Sequence, residues 1–189
     1  MNRRIKIIFA AALMLILSVL ACTINVGGPA YPTPAIPIST EAVGELESNI
    51  QTAVAAGTET GQVILQLTEP ELTSYLYYKL ESQANPFITN PQVYLRDNEM
   101  RIYGTATQGN LEAYVKIVVA ASVDAQGQLQ IDLTTVDFGP LPVPSGLNEV
   151  VTAIIKEAYT GALGPVATGF RIETVNIADG MMTITGRTK

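Results

Sequence analysis

From Leu111 to Val123 every second residue is apolar, with Leu111, Ala113, Val115, Ile117, Val119, Ala121 and Val123 on one side and Glu112, Tyr114, Lys116 and Ser122 populating the other. A period of two over that length is the pattern of a long strand with one buried face. Such a strand needs partners for its backbone and a layer over its apolar side. Asp124-Ala125-Gln126-Gly127 supplies a turn, and Leu129, Ile131 and Leu133 match on the return. The apolar parity then moves to Val136 and Phe138, which predicts a bulge near Thr134. Upstream, Val93 and Leu95 precede the turn residues Asp97-Asn98, and Met100, Ile102, Gly104 and Ala106 follow, so a hairpin feeds the long strand. Gly139 to Pro144 must break the sheet. A last hairpin, Phe170 to Ala178 with Met181 to Arg187, turns at Asp179-Gly180.

Helical periods supply the covering layer. Thr40 as cap, Glu41 in the first turn, Val43, Leu46, Ile50 and Val54 at helical spacing, and Gly57 as stop predict a helix over 41–56. After a short strand, Gln62 to Leu67, Thr68 and Glu71 have capping-box spacing, and Leu72, Tyr75, Leu76 and Leu80 line one face of a second helix. Ser145 caps a third, with Leu147, Val150, Val151, Ile154, Ile155, Ala158 and Tyr159 as its stripe and Gly161 as its end. The order of elements predicts an α+β fold, a mainly antiparallel curved sheet packed against amphipathic helices.

The first residues have another logic. Arg3, Arg4 and Lys6 precede an apolar run from Ile7 to Leu17, and Ser18 to Ala21 are mostly small. This is the layout of a secretory signal peptide, shorter than the roughly 20 residues of a membrane span. Val19, Ala21 and Cys22, the sole cysteine, resemble the bacterial lipobox, although Leu20 is a less usual occupant. That resemblance implies cleavage before Cys22, lipid on its sulfur, and an extracytoplasmic chain anchored to a bacterial membrane. Two or three acyl chains hold stably where one holds marginally. Residues 22–40 carry Gly27, Gly28, Pro29, Pro32, Pro34 and Pro37 and are expected to be an extended tether, leaving 41–189 as one domain. Loss of 1–21 takes three of the 11 basic residues and none of the 17 acidic ones, so 8 against 17 leave −9. Such a surface repels phosphate backbones, and nucleic acid is not an expected partner.

The chemistry is sparse. There is no histidine, which removes the usual general base and the commonest metal ligand. Ser145 and Lys156 have sufficient roles as helix cap and solvated charge. The acidic turns 97–99 and 124–127 lack the closing Glu of a calcium loop, and Asp132 and Asp137 make no acid–base pair unless a bulge brings them to one face. No catalytic residue, metal site or cofactor is expected, and the chain does not read as an enzyme.

The segment VILQLTEPELTSYLYYKL, a strand meander, VDFGPLPVPSGLNEVVTAII and a closing strand pair ending NIADGMMTITGR resemble the extracytoplasmic YpmS-like and LmeA-like domains over about residues 60–189. The resemblance implies a curved sheet around a long helix, distantly similar to tubular lipid-binding modules, with no catalytic residues to carry over. Two functions follow. One is binding of lipid or another apolar ligand between the layers, with Leu76, Val115, Ile117, Val119, Leu133, Val151 and Ile155 as contacts. The other is a non-catalytic cell-envelope interaction module, its protein partner unnamed, with Tyr75, Tyr77 and Tyr78 as aromatic anchors.

Overall fold

The structure, a computed structural model, describes residues 24–84, 86, 88–141, 149, 152–153 and 163–189. Its elements run β1 (Ile24–Asn25), α1 (Thr40–Thr60), β2 (Gln62–Thr68), α2 (Glu69–Glu81), β3 (Ile88–Arg96), β4 (Glu99–Gln108), β5 (Leu111–Val123), β6 (Leu129–Asp137), α3 (Gly164–Gly169), β7 (Phe170–Ala178) and β8 (Met181–Thr188). The fold is α+β. β3 to β6 form an antiparallel meander, and β1 joins the outer edge of β5 in parallel. β2, β8 and β7 form a second antiparallel sheet, and the strands together curl into a half-barrel.

The middle of β5 does what the alternation predicts, with Ala113, Val115, Ile117, Val119 and Ala121 buried on the concave face, whereas Leu111 is exposed and Val118 of the other face is buried as well. The parity change in β6 is a bulge, since Val118 pairs with Thr135 but Val119 with Leu133, leaving Thr134 as the extra residue. The turns between β3 and β4 and between β5 and β6 lie at one end of the meander, and β7 runs across it. The Ile172 N–H donates to the Gly127 carbonyl, and the Asn98 N–H donates to that of Ile177. That end is closed. The opposite end holds the β4–β5 turn and the start of β3.

Helix α1 fills the trough with Ala42, Leu46, Ile50, Ala53 and Gly57. The expected stop at Gly57 is not a stop. The helix continues to a left-handed cap at Gly61, and a Cβ at Gly57 would stand 2.6 Å from the Phe170 ring, so the missing side chain permits close packing instead. The cap at the other end is Ser39 rather than Thr40, its hydroxyl accepting the Ala42 N–H. The third expected helix lies mostly outside the described residues.

From Ile24 onward the segment expected to be an extended tether, 22–40, is pinned to the sheet. After β1, the Tyr114 N–H donates to the Gly27 carbonyl. The Tyr31 hydroxyl then donates to the Asn90 carbonyl, and Tyr94 donates to that of Pro34 at 3.1 Å. Buried Gln92 acts like a strand neighbour, accepting the Ile36 N–H and donating to the Ile36 carbonyl at 3.2 Å. Residues 24–39 therefore form a strap across the convex face from β5 to β3. Proline lacks a donor but keeps its carbonyl, which Tyr94 of the sheet meets at Pro34, and Ile36 between the prolines keeps both groups, which Gln92 meets. Burial is the largest cause pushing the Tyr31 phenol up to about 12, followed by Tyr94 and Tyr114.

Candidate apolar-ligand site

Helix α2 decides what the trough becomes. Its capping box forms as expected, Thr68 with Glu71, and Pro70 sits in the first turn. Its orientation differs from a simple reading of its stripe. Glu71, Thr73 and Ser74 are buried, whereas Leu72, Tyr75 and Leu76 are only half-buried.

The cause is the edge of β3, whose outward N–H groups have no neighbouring strand among the described residues. An uncovered edge is costly or adhesive. Here α2 lends side chains to it. The Val93 N–H donates to Thr73 Oγ1 at 3.0 Å, and the Leu95 N–H donates to Glu69 Oε1 at 2.8 Å, with Arg96 paired to the same carboxylate. Ser74 Oγ accepts the Ser39 N–H, and Glu71 accepts from Asn49 of α1 at 2.6 Å. No buried side-chain polar atom among the described residues lacks a partner.

Turning polar residues inward leaves the apolar ones at a seam. Between α2 and the concave face is a groove of about 90 Å³. Its floor is Leu46, Leu67, Val93, Ile102, Ala121, Leu129 and Met182, all buried. Its rim is Leu72, Tyr75 and Leu76 of α2 with Met100, Ile131 and Leu163. Apart from the Tyr75 hydroxyl, the described residues of this wall offer no side-chain hydrogen-bonding group, so water against them would be poorly held.

Of the expected contacts, Leu76 is in the groove wall. Val115, Ile117 and Val119 are not in its described wall but are sealed in the core, and Leu133 packs half-buried against that core. Val151, Ile155 and Cys22 lie outside the described residues. Sequence reasoning missed Met100, Ile131 and Leu163 as contacts. Leu72 and Tyr75 were visible as part of the α2 stripe, and their share of the rim follows from the rotation. Tyr77 and Tyr78 pack edge to face, 5.3 Å between centroids, outside the groove.

The acidic turns have structural occupations. Asp124 Oδ1 accepts the Gln126 and Gln128 N–H groups and its Oδ2 accepts from Gln130. These bonds, the Gln128 amide foremost, hold its carboxyl below the usual range. The bulge brings Asp132 and Asp137 to one face, opposite Ala120 and Lys116. That spacing leaves them roughly 13 Å apart along the strand, too far for joint acid–base work. Among the described residues no group of carboxylates is placed to hold a metal, and no helix is long and apolar enough to cross a membrane. No protein-family model matches the chain, and no curated protein matches it significantly.

Proposed function

We propose that this chain is an extracytoplasmic bacterial lipoprotein, held to a membrane by lipid on Cys22, whose domain takes an apolar ligand between α2 and the curled sheet without catalysis. The observation that carries the ligand is the groove: an apolar seam, half-open, in a helix whose polar side is committed to a strand edge. A dry cavity of about 150 Å³ admits benzene. The smaller volume suits the last few carbons of an acyl chain, the remainder lying outside. Displacing poorly held water from apolar walls favours that exchange.

The test has two arms. Radiolabelled palmitate should mark the wild-type chain in bacteria and leave Cys22→Ser unlabelled; equal labelling of both would remove the anchor. A fluorescent fatty acid should brighten on titration with the wild-type protein and not with Leu76→Asp, which stays folded because Leu76 is on the rim. Indifference of the signal to that substitution would remove the groove as the site.

A further inference from the structure

Resting on the lipid-anchor reading, we infer that the domain lies against the membrane by the β4–β5 end, with Ile24 and Leu111 dipping into the lipid interface. The argument begins at the strap. If 22–40 were free, the domain could stand tens of ångströms away and face anywhere. Instead the chain is already paired at Ile24, two residues after the anchor position, its N–H donating to the Asn110 carbonyl at 2.8 Å and its Cα opposite that of Leu111. Two extended residues reach at most about 7 Å. The headgroup layer of one leaflet is itself roughly 5–8 Å deep. The sulfur is joined through a glycerol to its acyl chains, so Ile24 is held within or just above that layer and not tens of ångströms away.

The surface placed there suits lipid. Ile24 is 59% exposed and Leu111 39%, two large apolar side chains side by side on neighbouring strands. Tyr31 and Tyr114 pack against each other nearby, their rings tilted with centroids 5.3 Å apart, and tyrosine favours the membrane interface.

Charge separates the two ends of the meander. At the β4–β5 end, 24–40, 88–92 and 103–111 contain no Asp, Glu, Lys or Arg, while Lys116 and Asp137 lie opposite each other where β6 stops. Glu81 and Glu112 lie close by. The closed end carries Asp97, Glu99, Arg101, Asp124, Arg171 and Asp179. An acidic chain that presents its sparsely charged end to a bilayer reduces both desolvation of charge and repulsion from anionic lipid.

The chain has no tryptophan, so a single introduced one reports its own surroundings. Leu111→Trp, Ile24→Trp and, at the closed end, Gln126→Trp would be made in the full chain, and each lipidated product reconstituted into phosphatidylethanolamine–phosphatidylglycerol vesicles containing chain-brominated phosphatidylcholine. Tryptophan at 111 and at 24 should shift its emission to the blue and lose intensity to bromine, while that at 126 should do neither. Chains that float with the vesicles but show equal, unquenched emission at all three positions would overturn the orientation and leave the anchor standing. Chains that do not float would overturn both. The two substitutions at the lipid-facing end guard against either one misfolding.

Discussion

Helices α1 and α2 face the same sheets and use them in opposite ways. α1 presses Leu46, Ile50 and the small residues Ala42, Ala53 and Gly57 into the trough, and its polar residues look outward. α2 turns Glu71, Thr73 and Ser74 inward to serve a strand edge and the α1 cap, and leaves Leu72, Tyr75 and Leu76 half in water. An apolar stripe therefore states which side of a helix is greasy, not which side is innermost. Hydrogen-bonding demand from a neighbouring edge can rotate it. The first helix makes a core, and the second makes a groove.

The largest effect expected is at the core that both helices cover. Ile117→Glu places an unpaired charge where exposure is 1%, a change that costs at least about 4–5 kcal/mol and should abolish the cooperative thermal transition in circular dichroism. Selective loss of ligand uptake with an intact transition would instead make Ile117 a groove residue. Ile50→Ala, on the buried side of α1, should lower unfolding free energy by about 2–5 kcal/mol in urea titrations. Thr73→Val tests the inverted helix. It keeps the volume but strands the Val93 N–H, at a cost of about 1–3 kcal/mol, and that amide should exchange faster with solvent. Were Thr73→Val neutral, the edge-capping explanation for the rotation of α2 would fail.

The smallest effect belongs to the strap that ties the helices together through Ser39. The folded-state pKa of Tyr31 is raised above its ordinary value of 10.0 to about 12. Its contribution is therefore complete below about pH 10 and is lost as pH rises through about 12. Limited proteolysis within 24–39 should accelerate over that window, and Tyr31→Phe should remove the part of the response due to that phenol.

Much of this architecture was legible because period and turn chemistry agree locally. The ends of β5, its partner, the Thr134 bulge and the Asp179-Gly180 turn follow from alternation and from residues that tolerate positive φ, 50° at Asp179 and 81° at Gly180. What escaped was long-range. Nothing local in Pro32 or Pro34 says that Tyr94 and Gln92, some 60 residues on, will hold that segment down. Nothing in the α2 stripe says that β3 is an edge. The site suffered most: Val115, Ile117 and Val119 have the side chains of a lipid pocket and also those of a core, and only the position of the covering helix separates the two.

The claim that α2 leaves a working groove, not merely a packing seam, is tested most directly by native mass spectrometry of the chain expressed in bacteria. The account predicts a second mass series, heavier by one noncovalent apolar ligand, that disappears in Leu76→Asp while the melting transition stays cooperative. A single ligand-free series from the wild-type chain, unchanged after incubation with fatty acid, would contradict it.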